Sequence, residues 1–234
     1  MFEQYSGQVK DIIGSVKDRF GKKKKVLVVV GLKREAAFKS LFRNYEDCYC
    51  FEADPVAFEK LEEKYQKYPN VHLYNMAVDT YEGEVNYDLS ENEDVSGPSH
   101  VWDGQPQRDT FADVSVDQMT RILCIHLYRF LDRHGVEYIN DYISHNEGKD
   151  FEVLNTLKPL IDSGRIGTIT CAVTKNGKHN DYRDLSNNSE IRYYKLLSDN
   201  YELIARGWGQ LKDGVVKDVP DDWWEMDCKW RVKK

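Results

Sequence analysis

The feature that most constrains this chain is the run Val26-Leu27-Val28-Val29-Val30, closed by Gly31. Its residues are all apolar and mostly β-branched, so they favour extended backbone and leave no polar face for water. Such a strand needs cover on both sides, which is the condition of a strand inside a parallel sheet. Lys33 to Arg43 places Ala36, Ala37, Phe38, Leu41 and Phe42 at helical spacing. Cys48 to Phe51 reads as a second strand, Phe58 to Tyr68 as a helix with Phe58, Leu61 and Tyr65 on one side, and Val71 to Tyr74 as a third strand. Strands alternating with helices predict an α/β fold, Rossmann-like, with a mostly parallel central sheet and helices on both faces.

The alternation continues. Asn75 to Val78 reads as a loop, Glu84 to Leu89 as a strand, and Ser90 to Thr110 as a polar loop long enough to serve as a lid. Val114 to Asp117 is short and extended, and Met119 to His134 reads as a helix capped by Gly135. Tyr138 to Ser144 is a strand, Phe151 to Leu160 a helix, Ile166 to Val173 a strand, Ser189 to Asp199 a helix and Tyr201 to Gly207 a strand. Ahead of them, Phe2 to Phe20 has helical spacing. The expected organisation is an N-terminal helix and basic linker over 1–25, a Rossmann-like domain over 26–210, and a Trp-rich C-terminal extension packed on that domain over 211–234.

A chain of 234 residues, 41% of them hydrophobic, suffices for one such core. The formal net charge of −7 opposes general binding to nucleic acid, because the chain and the phosphate backbone repel one another. The five cysteines are odd in number and scattered, without the paired spacing of a metal site, and are read as reduced thiols of a cytoplasmic protein. No apolar stretch reaches the roughly 18 residues of a membrane span.

In parallel α/β sheets ligands bind beyond the carboxyl ends of the strands. Gly31 there is either a glycine over which a ligand passes or simply a strand–helix turn. Glu52 closes the second strand about twenty residues beyond Gly31, the placement of a carboxylate that accepts hydrogen bonds from ribose hydroxyls. Neighbouring Asp54 suits a helix start, since Asp-Pro begins helices. Met76 with its backbone is placed to flank an adenine, or is only a loop residue. In Ser144-His145-Asn146-Glu147-Gly148-Lys149-Asp150, His145 is the candidate general base, because its ordinary pKa lies near neutrality. Glu147 is a catalytic candidate or a cap of the next helix.

Read in order, these segments resemble the FkbM-type methyltransferases. The resemblance rests on Phe51-Glu52-Ala53-Asp54-Pro55 with Phe58 and Leu61, on Asn70-Val71 through Ala77-Val78, on Gly83-Glu84-Val85, and on Gly135 to Ile139 leading into Glu147 to Leu154. It implies S-adenosylmethionine as cofactor and O-methylation of a hydroxyl on a small-molecule or glycan acceptor. On that resemblance Gly31 lies under the methionine part of the cofactor, Glu52 holds the ribose with Ala53 beside it, Met76 and Ala77 border the adenine, and Glu147 stands beside the reacting centre. The chain departs from the family pattern at Val29-Val30 before Gly31, at Lys33-Arg34-Glu35 after it, and at His145 in place of an aspartate. Those departures leave open a cofactor-free module that keeps the fold and binds a partner, or a pocket for another nucleotide-type ligand. On the acceptor side, Ser99 and Trp102 of the long loop and His179 after a strand end are candidate contacts, with packing or an ordinary polar turn as the alternative. His145, Glu147 and Asp150 match no metal-binding spacing, so no metal is expected.

Overall fold

The structure, a computed structural model, describes residues 24–32, 41–88, 101–102, 119–146, 148–175, 188–207 and 225–234. The expected helices over 2–20 and 33–43, most of the polar loop and the extended piece at 114–117 fall wholly or mainly outside those residues. The Val26–Val30 run is β1, and all five of its residues are buried. Val26, Val28 and Val30 pack into the larger core on one face, while Leu27 and Val29 meet Leu32, Phe42, Leu61 and Tyr65 on the other. Burial at about 1.5–3 kcal/mol for each such side chain is what an unbroken apolar strand contributes.

Strand β1 pairs in parallel with β2 (Asp47–Phe51), and β2 with β3 (Val71–Tyr74). Helix α1 (Pro55–Tyr65) joins β2 to β3. It starts at Asp54, whose carboxylate accepts from the N–H groups of Val56 and Ala57 at 2.8 and 3.1 Å, with Pro55 in the first turn. On its other side β1 pairs in parallel with β8 (Ile139–Ser144), and β8 with β9 (Ile166–Thr174). The last strand in sequence, β11 (Glu225–Val232), inserts antiparallel between β9 and β10 (Tyr201–Arg206). The seven-stranded sheet therefore runs β10-β11-β9-β8-β1-β2-β3. Residues 225–232, expected in an extension packed on the domain, are an internal strand of its sheet, with Trp230 stacked on Tyr193 at 5.3 Å.

A second sheet, in the order β4-β7-β5-β6, is made by β4 (Met76–Asp79), β5 (Gly83–Asp88), β6 (Val101–Trp102) and β7 (Met119–His126). Two expectations are corrected here. Asn75 to Val78 is mostly strand rather than loop, because Met76–Asp79 pairs in parallel with Leu123–His126. Met119 to His134 is a strand followed by a short helix, α2 (Leu127–Arg133). Ile122 and Cys124 are buried against Ala77, Val85 and Tyr87, so sheet pairing and burial override the helical look of the segment. The helix expected over Phe151 to Leu160 is two short ones, α3 (Asp150–Thr156) and α4 (Lys158–Asp162), with Pro159 in the first turn of the second. Helix α5 (Glu190–Leu197) follows β9.

All five cysteines are free and buried. Burial pushes the thiols of Cys48 and Cys124 up to about 12, and raises Cys50, Cys171 and Cys228 as well. An unfolded thiol loses its proton near pH 8.5, by ordinary reference values, while the folded chain keeps its own. The unfolded state therefore binds fewer protons above that pH, and stability falls from there as pH rises toward 12. Urea midpoints at pH 8 and pH 10 are expected to show the loss, and Ellman's reagent to react with the thiols only on unfolding. A flat midpoint or rapid reaction of the native thiols contradicts this burial.

Candidate active site

The order of the larger sheet reverses at β1. From β1 the chain proceeds outward to β2 and β3, then returns to place β8 and β9 on the opposite side. A reversal of this kind opens a crevice at the carboxyl ends of the two central strands, the usual ligand position in open α/β sheets. Gly31 ends β1 there, Glu52 ends β2, and His145 and Asn146 end β8.

Gly31 has φ +77° and a specific neighbour. A Cβ placed on it would stand 2.0 Å from the carbonyl oxygen of His145. The residue is held on both sides, by its own N–H to the carbonyl of Phe51 (2.9 Å) and by the His145 N–H to the carbonyl of Val30 (2.9 Å). The glycine is required by the close approach of β1 to the end of β8.

Glu52 is 5% exposed. One carboxylate oxygen accepts from the N–H of Leu32 at 2.9 Å, and the other from the N–H of Asp54 at 2.9 Å. The side chain thereby ties the turn after β1 to the turn after β2. Asn75 secures the same turn from β3, its Nδ2 donating to the carbonyls of Glu52 (2.9 Å) and Ala53 (3.2 Å). Ala53 packs against the small core of the second sheet, in which Ala77 is buried at 2% exposure, and Met76 is half-buried.

The turn after β8 is built around Asp150, which is fully buried. Its Oδ1 accepts from the hydroxyl of Ser144 at 2.5 Å and from the N–H of Asn146 at 2.8 Å. Asn146 in turn donates from Nδ2 to the carbonyl of Val78 at 3.0 Å, joining the two sheets. Lys149 lies 3.6 Å from Asp79 and 3.3 Å from Glu152. Asn188, also fully buried, accepts from the N–H of Phe151 (3.1 Å) and the hydroxyl of Tyr193 (2.8 Å) and donates to the carbonyl of Ala172 (3.1 Å), so α3 is pinned to β9. Across β9, His145 Nε2 is 3.3 Å from Oδ1 of Asp227 on β11.

Gly31, Glu52 and His145 are thus at one edge of the sheet, and Ala53, Met76 and Ala77 sit at the adjoining edge of the second sheet. Glu147, Ser99 and His179 lie outside the described residues. Trp102 is in β6, paired with Asn86 of β5. Among the described residues no group of three His, Cys, Asp or Glu side chains is placed to hold a metal ion, and no helix is long and apolar enough to cross a membrane. Sequence reasoning missed Asp227 altogether, and placed Asn75 at a strand end beside Met76 without giving its side chain a role. For Asn75 the position at a strand end was a usable signal, whereas Asp227 becomes a neighbour of His145 only because β11 inserts beside β9.

A mostly parallel seven-stranded sheet with one antiparallel strand between β9 and β10, its helices between strands, defines a Rossmann-like α/β fold of the methyltransferase type. No protein-family model matches the chain, and no curated protein sequence matches it. Among the solved structures that it resembles are three named as methyltransferases. A candidate methyltransferase from Streptococcus mutans, crystallised with S-adenosylhomocysteine, is 11% identical, with 91% of this chain and 90% of that one covered and a TM-score of 0.48. The N-methyltransferase NodS from Bradyrhizobium japonicum is 8% identical, covering 99% and 96%, with a TM-score of 0.44. Magnesium protoporphyrin IX methyltransferase from Synechocystis, with bound S-adenosylmethionine, is 8% identical, covering 98% and 80%, with a TM-score of 0.42. The likeness is one of architecture and assigns neither substrate nor cofactor.

Proposed function

We propose that this chain is a cytoplasmic methyltransferase that uses S-adenosylmethionine to methylate a hydroxyl of a sugar, glycan or other small molecule, as a divergent relative of the FkbM type. The observation that carries the reading is the meeting of the Gly31 turn, the buried carboxylate of Glu52 and the imidazole of His145 at the strand-order reversal. A buried carboxylate at the end of β2, beside the Gly31 turn at the carboxyl edge of the sheet, has the placement of one that serves the cofactor's ribose. Glu52 would hold that diol, Ala53, Met76 and Ala77 would border the adenine, and Gly31 would underlie the methionine end. The bound cofactor supplies an electrophilic methyl group. His145 takes the proton of the acceptor hydroxyl and passes it to water, with Glu147 beside the reacting centre. Ser99, Trp102 and His179 are assigned to the acceptor side.

One observation favours a second reading, a cofactor-free module that retains the fold. The space beside Gly31 is filled by the His145 carbonyl, and both oxygens of Glu52 already serve backbone N–H groups. Incubation with S-adenosylmethionine and a panel of hydroxylated sugars and small metabolites decides between them. The enzyme reading expects release of S-adenosylhomocysteine and an acceptor heavier by a methyl in place of a hydrogen, with a loss of about 10²–10⁴-fold in His145→Gln, the usual range for a general base. Acceptor-independent silence across the panel, together with no binding of cofactor or product, favours the module.

A further inference from the structure

We infer that Asn146 is the residue that positions His145, by tying the turn that carries it to the strand assigned to the cofactor's adenine. This rests on the methyltransferase reading above. The approach of Nε2 of His145 to Asp227 is not a hydrogen bond, since Oδ1 of Asp227 has no hydrogen-bond partner among the described residues. The backbone of His145 therefore decides where its ring stands. Its N–H donates to the carbonyl of Val30 at 2.9 Å and its carbonyl lies against Gly31, which fixes it to β1. The residues on either side share one acceptor, Oδ1 of Asp150, at 2.5 Å from the Ser144 hydroxyl and 2.8 Å from the Asn146 N–H.

On its far side the turn is fastened to β4, the edge strand of the second sheet. Nδ2 of Asn146 donates to the carbonyl of Val78 at 3.0 Å. Nζ of Lys149 lies 3.6 Å from the buried carboxylate of Asp79, the next residue of the strand. That ion pair is the weaker tie, because the lysine side chain is 43% exposed and shared with Glu152 at 3.3 Å. The Asn146 amide is the firm link, and it needs a donor at that place, because a carbonyl oxygen only accepts. Gly31 at the end of β1 and Met76 and Ala77 on β4 are assigned to the two ends of the cofactor. The turn that carries the base is fixed to both strands, so the imidazole keeps one position relative to both ends. A reacting group displaced by about 1 Å can lose about 10²-fold in rate. Asn146 touches neither substrate nor cofactor in this scheme and acts through His145.

The test uses the full chain labelled with ¹⁵N-histidine, and His145→Gln identifies the signals of His145 among the six histidines. In Asn146→Ala the ring signals of His145 are expected to shift or broaden while those of the remaining histidines stay in place. Binding of S-adenosylhomocysteine by calorimetry is expected to stay within about threefold of wild type. With an acceptor found in the panel above, kcat is expected to fall about 10²-fold with KM little changed. Because Asn146 acts through His145, the double variant His145→Gln with Asn146→Ala is expected to turn over within about threefold of His145→Gln alone. A double variant that loses the product of the two single losses, or His145 signals unmoved in a folded Asn146→Ala, overturns the inference. Without a methylated acceptor the ring signals decide. If Asn146→Ala fails to fold, Asn146→Asp, of the same shape but without the amide donor, is read in the same way. Failure of both variants to fold makes Asn146 a structural residue and also overturns the inference. A wild type that binds no S-adenosylhomocysteine sinks the methyltransferase reading and this inference with it, whatever the signals of His145.

Discussion

Asp150→Ala is expected to destabilise the chain by about 2–4 kcal/mol, the range for stranding buried donors of a charged acceptor. The carboxylate is fully buried, and its Oδ1 alone satisfies the Ser144 hydroxyl and the Asn146 N–H. Its negative charge is part of the core, where it helps to raise the hydroxyl of Tyr193 and the thiol of Cys171 after burial itself has done so. Alanine removes that charge, which recovers some desolvation energy, but leaves the buried Ser144 hydroxyl and the half-buried Asn146 N–H without their acceptor and a hole at the start of α3. The loss propagates along one path. Asn146 holds the β8 turn to Val78 of the second sheet, so freeing Asn146 loosens the junction between the sheets. For a domain of this size the melting temperature should fall by roughly 5–15 °C. Asp150→Asn, which keeps an acceptor oxygen, should lose less. Melting of Asp150→Ala at the wild-type temperature contradicts the account of this turn.

Gly31→Ala carries the second large effect. An L-residue at φ +77° is strained by about 1–2 kcal/mol. The added methyl also meets a backbone oxygen at 2.0 Å, which has to move. Overpacking of this kind costs about 1–3 kcal/mol, for a total of roughly 2–5 kcal/mol. Gly135 provides the control, because its φ is +70° and nothing lies within 4 Å of its Cβ position. Gly135→Ala should therefore show the conformational strain alone. Equal losses in the two variants, measured by thermal unfolding, would remove the case for a close contact between the ends of β1 and β8.

The parts of the fold that local chemistry dictates were legible in the sequence. The Val26–Val30 run could only be a doubly covered strand, Val71–Tyr74 was bounded correctly, and Asp54-Pro55 announced the start of α1. The Met119–His126 strand was not legible, because Leu123 is 53% exposed and hides the two-residue period of Ile122 and Cys124. No glycine or proline marks the change from strand to helix at Leu127 either. The spacing from Gly31 to Glu52 puts both residues at strand ends, where the structure has them. The backbone donors that Glu52 satisfies and the carbonyl that fills the space beside Gly31 come from elements distant in sequence. The same holds for Asp227, whose place depends on a strand-insertion step that no local pattern encodes.

Calorimetric titration of the chain with S-adenosylhomocysteine, beside Glu52→Gln, tests the central claim most directly. The account predicts micromolar binding to wild type and at least a tenfold weakening in Glu52→Gln, about 1.4 kcal/mol, in a variant shown by its melting curve to be folded. No binding of either S-adenosylhomocysteine or S-adenosylmethionine to wild type, or equal binding by a folded Glu52→Gln, would contradict it.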